Sequence, residues 1–556
     1  MIADIRTIPS ECSLEADVCV VGGGAAGIVI AEQFIASRHE VILLESGGFR
    51  PEASVQRLYS GHSIGETYFR LLHECRSRFF GGSTNCWVGI CTPLNEIDFA
   101  KRSWVPWSGW PIRYEDLTPY VRRSHEICGS GPFIYDAKAW RMMGIPDVDF
   151  SSDKFERFVW HYNKRSAAGI EFGKRFRNEL QRAPNIRVFL HANATELLTD
   201  PSGQAVERVR IRSFDGQTRH VRAKLFVLAC GGIENARILL ASKGHYPNGL
   251  GNQRDFVGRF FQEHLEVPCA TLIVPESGTR ISSYSRLSKL GGTFSLPGLA
   301  LAPKAQEDHQ TLNGSISVDP FCDPDGPLIS FQHLLSDLKS RRINQRTLRH
   351  LWRVVRESRK LAPEAWNHLA YGERPRGDPH LFVTYARAEQ APNPASRIVL
   401  SNDADELGVP RVSLDWRTTP LDRKAIRLLS NFAAEELRRL GMGQVSPADW
   451  LSGEEWPPTL VGGNHHMGTT RMSEDESTGV VDRNCRIHGL QRLYVAGSSV
   501  FPTSGYANPT LTIIALALRL ADHLRDTLAG NAGVTASEKS AATVPSGTTE
   551  AISNAL

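Results

Sequence analysis

The amino-acid sequence predicts an α/β protein in which a Rossmann-type dinucleotide-binding domain is interleaved with a substrate domain built on a mostly antiparallel sheet (α+β). The first observation is segment 17–45, which has the pattern of a strand, a glycine turn, a helix and a second strand. The second is the return of buried-strand patterns near residues 188 and 225, which adds distant pieces to the same sheet. The third is the alternation of apolar and polar residues within 266–484, typical of antiparallel strands with one wet face.

The glycine turn of the first segment has the spacing that binds a pyrophosphate. An apolar run, 17–21, leads directly into Gly22-x-Gly24-x-x-Gly27. Gly22 allows the tight turn, Gly24 lets the backbone approach the phosphates, and Gly27 lets the helix pack on the strand. The helix expected over about 25–37 then presents its unpaired N–H groups and positive dipole end to the ligand.

The second strand of this segment ends in an acidic residue. The apolar run 41–44 is followed by Glu45, eighteen positions after Gly27, where a carboxylate can take ribose hydroxyls. A strand–helix turn that binds nothing is the alternative, but both strands and the acid in register favour a bound dinucleotide. The segment alone is compatible with NAD and with FAD.

Composition excludes several classes of partner. The chain has 556 residues, enough for two or more domains, with 41% hydrophobic and 22% charged residues and a net charge of +4. So small a net charge argues against nucleic acid and against an anionic membrane surface as partners. No apolar run reaches the roughly 18 residues of a spanning helix.

The N-terminus and the cysteines indicate a reduced, cytoplasmic protein. Acidic residues interrupt any apolar core of a signal peptide, although export with a signal-bearing partner stays open. The ten cysteines are scattered, with no Cys-x-x-Cys pair and no histidine at zinc spacing, so we expect no metal.

Two further segments precede the middle of the chain. Residues 46–75 have the pattern of a surface excursion. Residues 78–87, RFFGGSTNCW, form a second glycine turn with small polar residues. Backbone can approach a flat ring at such a turn, and an ordinary tight turn is an equally good interpretation.

Candidate chemical groups are concentrated near the C-terminus, in 463–472 and 494–512. His465 and His466 lie on a glycine-flanked loop and offer a base near neutral pH. Asn508 is a good N-cap and Pro509 suits the first position of the apolar helix that follows. Asn508 is therefore either a plain cap or a side chain that also holds a substrate oxygen, while the helix aims its positive end at an electron-rich ring.

Four ordered motifs resemble the glucose-methanol-choline (GMC) family of flavin oxidoreductases, closest to its branch of pyranose oxidases and bacterial sugar dehydrogenases. They are the opening glycine motif, GGSTNCW at 81–87, H-x-x-G-T-x-x-M at 465–472 and N-P-T-L-T at 508–512. The resemblance implies FAD as the cofactor and covers about the first 265 and the last 140 residues. It matches His465 to the catalytic histidine, because His465 stands three positions before Gly468, and it matches Asn508 to the second member of the catalytic pair.

The same resemblance implies a set of flavin-binding residues: Gly22, Gly24, Ala26, Gly27, Glu45, Ser46, Gly82, Ser83, Asn85, Cys86, Ala194, Gly497, Ser498, Pro509 and Thr510. One position departs from the pyranose-oxidase branch. Where that branch has a histidine before the tryptophan, often bonded to flavin, this sequence has Cys86 before Trp87. A thioether is conceivable there, but a buried free cysteine is the commoner state.

The resemblance predicts oxidation of an alcohol to a carbonyl, most simply a secondary hydroxyl of a sugar, glycoside or polyol, with O2, a quinone or a redox protein as electron acceptor. A non-sugar alcohol, a non-catalytic flavoprotein subunit and an NAD-dependent dehydrogenase are the alternatives. A small subunit or a homo-oligomer is a possible partner. Trp87, Trp104, Trp107 and Trp110 could pack on a sugar ring, although each alone is more often a core residue.

The expected domains are discontinuous. Segments 1–100, 187–265 and 485–530 form the FAD-binding domain, and 101–186 with 266–484 form the substrate domain. Small and polar residues dominate 531–556, for which we expect disorder.

Overall fold

A computed structural model describes the chain except for residues 11, 67, 147, 164–169, 275–278, 322–325, 327–328, 332, 335–344, 360–379 and 542–556. Two eight-stranded sheets organise the described residues, and a three-stranded sheet lies beside them.

The first sheet is assembled around the N-terminal strand. Its central strands run parallel in the order β1, β7, β3, β2, β10, and β10 pairs with β19 in parallel at its end. An antiparallel meander, β10–β9–β8, extends the sheet. The strands are β1 (Ile2–Asp4), β2 (Leu14–Val21), β3 (Val41–Leu44), β7 (Ile186–Leu190), β8 (Asn193–Thr199), β9 (Val206–Arg212), β10 (Thr218–Leu228) and β19 (Leu493–Val495).

Helices cover the faces of this sheet. Helix α1 (Ala25–Gln33) packs against α12 (Thr510–Ala541), which also packs against α4 (Tyr114–Cys128). Helix α6 (Phe172–Arg182) lies against α1 and β7, and α7 (Glu234–Ala241) against β8. Strand β3 is buried throughout and β2 over residues 18–21, as the central strands of a parallel sheet must be.

The second sheet is antiparallel throughout, in the order β18, β11, β15, β14, β13, β6, β5, with β12 paired to β13. Helix α11 (Pro420–Arg439) packs on its face. The strands are β5 (Ile90–Cys91), β6 (Phe155–Tyr162), β11 (Leu265–Ile273), β12 (Ser288–Leu290), β13 (Thr293–Leu301), β14 (Gly314–Pro320), β15 (Leu381–Ala388) and β18 (Gln444–Pro447).

The third sheet contains a hairpin, β16 (Arg397–Ala404) with β17 (Pro410–Asp415), and β4 (Gly61–Ser63) pairs with β17 in parallel. The remaining helices are α2 (Ala53–Arg57), α3 (Glu96–Phe99), α5 (Ala137–Met142), α8 (Thr279–Ser285), α9 (Pro303–Asp308) and α10 (Gln345–Arg356).

The predicted fold class, a Rossmann-type sheet with an interleaved antiparallel sheet, is confirmed. The domain boundaries stay a prediction. The interpretation of 46–75 as a surface excursion is wrong for Tyr68 and Leu72, which are 5% and 3% exposed, because β4 anchors the segment to the third sheet. The predicted disordered tail, 531–556, begins inside helix α12, and its residues after Ala541 lie outside the described part of the chain.

A buried ion pair joins the segment after α3 to the residue that follows β15. The Arg102 guanidinium donates to Glu389 at 2.5 and 3.1 Å, and both side chains are almost fully buried. The backbone N–H groups of Asn313 and Gly505 also donate to Glu389, at 2.8 and 3.3 Å. Because Gly505 precedes Asn508 by three residues, this network fixes the chain that leads into α12.

We expect Arg102→Met to lower the apparent free energy of unfolding by about 3–5 kcal/mol, because it leaves the Glu389 carboxylate buried and unpaired. Chemical denaturation followed by tryptophan fluorescence measures this. Arg254→Met is the matched control: it breaks the exposed Arg254–Glu476 pair and should cost less than about 1 kcal/mol. Equal losses in the two variants would contradict the assignment.

Candidate active site

A cavity of about 450 Å³ lies at the carboxyl ends of the parallel strands of the first sheet. It is bordered by the residues that follow β2, β3, β10 and β19, the edge at which parallel α/β sheets bind ligands. Most of the predicted flavin-binding residues line it: Gly22, Gly24, Ala26, Glu45, Ser46, Gly82, Ser83, Cys86, Ala194, Gly497, Ser498, Pro509 and Thr510. Predicted residues that the sequence separates by several hundred positions therefore meet at one site.

The opening glycine turn has a dinucleotide-binding geometry. Gly22 has a φ of +110°, and a Cβ there would lie 2.5 Å from the Ala229 carbonyl oxygen. A Cβ on Gly27 would lie 1.9 Å from the Gly22 oxygen, so this glycine permits the contact of helix with turn. A Cβ on Gly24 would meet no protein atom within 4 Å and would enter the cavity itself. The free space beside Gly24 is where a pyrophosphate fits.

Glu45 is buried at the edge of this turn. Its carboxylate accepts hydrogen bonds from the backbone N–H groups of Gly23 at 3.0 Å and Gly47 at 2.9 Å. Burial raises the pKa of the Glu45 carboxyl, and these two donors oppose the shift. Glu45 thus stabilises the turn and lines the cavity together with Ser46.

The second glycine turn lies against the first, since a Cβ on Gly82 would be 3.0 Å from the Gly24 Cα. Asn85 is an exception among the predicted residues: it does not line the cavity, and its amide donates to the Phe80 carbonyl at 3.0 Å. The expectation of a buried Cys86 is wrong. Its thiol is exposed in the cavity wall, with Sγ 3.2 Å from the Ser77 hydroxyl.

Two arginines that the sequence analysis did not select, Arg76 and Arg78, also line the cavity. Both donate to the Glu234 carboxylate, at 3.0 and 3.1 Å, as does Arg237 at 3.2 Å. Burial alone would raise the pKa of Glu234, but the three guanidinium groups lower it to about 2. The Nε of Arg78 is buried and lacks a hydrogen-bond partner within the described residues, so this guanidinium can still take an anionic or carbonyl group.

His465 and Asn508 face each other across the far end of the cavity. The Asn508 amide nitrogen lies 3.5 Å from Nε2 of His465, and both residues line the cavity beside Pro509 and Thr510 at the start of α12. Nδ1 of His465 lies 2.7 Å from Nδ1 of His264. His465 therefore presents one ring nitrogen to the cavity and uses the other for a hydrogen bond inside the protein.

The environment keeps His465 neutral. Burial lowers its pKa well below the ordinary value, and His264, Arg387 and His466 add to the shift. Burial and Arg387 likewise lower the pKa of His264 to about 3. Because a neutral imidazole has one unprotonated nitrogen, His465 can accept a proton at neutral pH.

His466 has a different environment. It is 6% exposed, its Nε2 lies 3.0 Å from the Tyr68 hydroxyl, and its carbonyl accepts from Ser498 at 2.6 Å. Tyr68 donates in turn to Glu263 at 2.7 Å. Burial lowers the pKa of His466 to about 3. His466 thus belongs to a buried hydrogen-bond network with Tyr68 and Glu263, next to His465.

The substrate side of the cavity includes Trp87, Glu266 and Arg387. Trp104, Trp107 and Trp110 do not line the cavity; Trp104 and Trp110 donate to Thr311 and Thr503. Sequence reasoning missed Glu266 and Arg387. No local pattern marks them, because Glu266 and Arg387 meet only through the register of β11 with β15.

Among the described residues, no group of three or more His, Cys, Asp and Glu side chains is arranged to hold a metal ion. The described helices include none with the length and apolar character needed to cross a bilayer. The nine cysteines in the described part of the chain are free thiols.

Comparison with known proteins finds similarity to flavin-dependent oxidoreductases. The GMC oxidoreductase C-terminal family model matches residues 392–517. The 6'''-hydroxyparomomycin C oxidase of Streptomyces lividus is 25% identical over 91% of this chain and 92% of its own length. The C-glycoside 3-oxidase of Microbacterium trichothecenolyticum is 33% identical over a shorter region, 24% of this chain and 25% of the relative.

Among solved structures, formate oxidase has a similar fold. The TM-score is 0.56 at 18% identity, over 93% of this chain and 99% of that one. Three observations indicate the same class of enzyme. They are the family match, the relatives aligned over nearly the whole chain, and the cavity lined by the two glycine turns. Residues 392–517 therefore correspond to a GMC oxidoreductase C-terminal domain, and the chain is an FAD-dependent oxidoreductase that acts on CH–OH groups.

Proposed function

We propose that this enzyme oxidises a secondary hydroxyl of a sugar, glycoside or polyol to a carbonyl, with His465 as the base. The observation that carries the proposal is the pairing of His465 Nε2 with the Asn508 amide at the mouth of α12, inside the cavity that fits FAD. Oxidation of an alcohol needs a proton acceptor and a hydride acceptor close to the same carbinol carbon.

The residues that would hold FAD fall into two groups. Gly22, Gly24 and the N-terminus of α1 would hold the pyrophosphate, and Glu45 would take the adenosine ribose. Gly82 and Ser83 lie beside this turn, and the N-terminus of α12 lies next to Asn508 and His465. When bound, FAD supplies the group that accepts the hydride from the carbinol carbon.

His465 takes the hydroxyl proton on Nε2. The Asn508 amide N–H donates to the substrate oxygen, which fixes the hydroxyl beside His465 and stabilises the negative charge that develops on that oxygen. The low pKa of His465 keeps Nε2 free of a proton before the reaction begins. After proton transfer the imidazolium donates Nδ1–H to His264, whose ring nitrogen is 2.7 Å away.

The substrate class rests on the cavity wall and on the relatives. Glu266 offers an acceptor for additional hydroxyl groups, and Trp87 offers an aromatic face for the C–H side of a ring. Two relatives are named as oxidases of 6'''-hydroxyparomomycin C and of C-glycosides. A long-chain alcohol or sterol would instead need a continuous apolar wall.

Gly24→Leu should abolish FAD binding, because its side chain would occupy the space beside the turn. The measurement is flavin absorbance and heat-released FAD per folded protein. Gly244→Leu is the matched control, since a Cβ there also meets no atom within 4 Å but the residue lies outside the cavity. Full flavin content in Gly24→Leu would refute the assigned pyrophosphate site.

His465→Ala should retain FAD and reduce the rate of flavin reduction by an alcohol by roughly 10²–10⁴-fold, the usual contribution of a positioned general base. Anaerobic stopped-flow absorbance measures this rate. His466→Ala should have a distinctly smaller effect, because its Nε2 faces Tyr68 rather than the substrate. If His466→Ala has the larger effect, the roles of the two histidines must be exchanged.

A panel of pyranoses, glycosides, polyols, sterols and alkanols, each mixed with the holoenzyme without oxygen, tests the substrate class. We expect flavin bleaching by members of the first three groups. Admission of air, a quinone or a one-electron acceptor then distinguishes an oxidase from a dehydrogenase. Fast bleaching by a sterol or an alkanol with all sugars and polyols inert would overturn the assignment.

A further inference from the structure

Arg387 joins the substrate side of the cavity to Asn508. It lies on β15 directly opposite Glu266 of β11, and its Nη2 is 2.7 Å from a Glu266 carboxylate oxygen. Its Nη1 donates to the Asn508 side-chain oxygen at 2.7 Å. The guanidinium carbon also lies 5.0 Å from the centre of the Trp160 ring. The side chain is thus held at three points, although it is about one-fifth exposed.

The chemistry of the guanidinium determines how the Asn508 amide is oriented. Arginine has donors and no acceptor, so the Asn508 atom that it contacts has to be the carbonyl oxygen. The NH2 group of Asn508 is then directed to the opposite side, where it lies 3.5 Å from His465 Nε2. Without Arg387, rotation of the amide by half a turn would exchange the donor and the acceptor.

The amide orientation in turn selects the tautomer of His465. A donor facing Nε2 favours the ring form in which Nε2 carries a lone pair and Nδ1 carries the proton. That proton is donated to Nδ1 of His264, which lies 2.7 Å away. The opposite amide orientation would place an oxygen near Nε2 and favour a proton there, which is the wrong state for a base.

We propose that Arg387 is a positioning residue for the oxidation: it locks the Asn508 amide so that its NH2 group faces the substrate oxygen and His465 keeps Nε2 unprotonated. This inference rests on the role proposed above for His465. Arg387 acts here through Asn508, and Glu266 and Trp160 hold the guanidinium in the plane that this requires.

Lysine cannot replace this arginine. The two contacts of Arg387 use two different nitrogens of one planar group, and an ammonium on a flexible chain presents a single point of contact. Arg387→Lys therefore keeps the positive charge near His465 and removes the lock on the amide, which separates orientation from electrostatics.

The first test is a double-mutant cycle on the holoenzyme, read as the rate of flavin reduction by the best alcohol of the panel. Arg387→Lys should lower this rate by about 10- to 100-fold, as removal of a partner that orients a metal ligand does. The substrate dissociation constant should change far less. In an Asn508→Ala background the same substitution should change the rate by less than about twofold, because its effect passes through Asn508.

Arg397→Lys is the matched control. Arg397 has the same fractional exposure, 20% against 21%, and forms a 2.8 Å ion pair with Asp255, but it does not line the cavity. We expect its flavin content and reduction rate to equal those of the wild type. A loss in Arg397→Lys as large as that in Arg387→Lys would show a general effect of breaking an ion pair and would overturn the proposal.

The second test does not depend on turnover. Histidine labelled with ¹⁵N, with the His465 signals assigned from His465→Ala, reports which ring nitrogen carries the proton in the holoenzyme. We expect the Nδ1–H form of His465 in the wild type and in Arg397→Lys. In Arg387→Lys we expect a mixture of tautomers or the Nε2–H form.

Four further results would also overturn the proposal: an unchanged rate in Arg387→Lys, a loss confined to substrate binding, an equal loss in the Asn508→Ala background, and an unchanged His465 tautomer. If no alcohol reduces the wild-type flavin, the proposed function fails. The tautomer experiment then still decides whether Arg387 orients Asn508.

Discussion

The loop that carries His465 depends on one buried carboxylate, that of Glu263. It is fully buried and accepts hydrogen bonds from the backbone N–H groups of His264 and His465, at 2.9 and 2.7 Å, and from the Tyr68 hydroxyl. Burial raises the pKa of Glu263 to about 7, and these donors oppose the shift. A buried carboxylate without hydrogen-bond donors would strongly destabilise the folded state. The Glu263 carboxylate therefore holds its three donors in place. This constraint fixes the His465 backbone before any ligand binds.

Other buried charges connect segments that are far apart in the sequence. Glu389 binds Arg102 and also holds the N–H of Gly505, so the antiparallel sheet positions the chain that enters α12. Glu234 similarly gathers Arg76 and Arg78 at the cofactor cavity. Removing one partner of such a pair strongly destabilises the fold, whereas replacing both partners with apolar residues often does not. In this protein, these ion pairs fix the positions of the segments that line the cofactor cavity and lead into α12.

The parts of the site that follow from local spacing could be predicted from the sequence. The Gly22–Glu45 unit is one continuous strand–turn–helix–strand, and Asn508-Pro509 marks a helix start. Arg387 could not be predicted, because its pairing with Glu266 depends on the register of two strands about 120 residues apart. Tyr68 was missed for a similar reason. Its burial depends on the pairing of β4 with β17, a contact that no periodicity reveals.

The positive charges around the cavity have opposite effects on a bound cofactor and on the proposed base, His465. The N-termini of α1 and α12, with Arg76, Arg78 and Arg387, favour negative charge on a bound ligand. The same positive surroundings disfavour an imidazolium, and Arg387 contributes to the low pKa of His465. A neutral His264 at 2.7 Å resolves part of this conflict, since it adds no charge and accepts the Nδ1–H of His465. In the proposed oxidation, an imidazolium at His465 would be stabilised by this hydrogen bond and would readily release its proton afterwards.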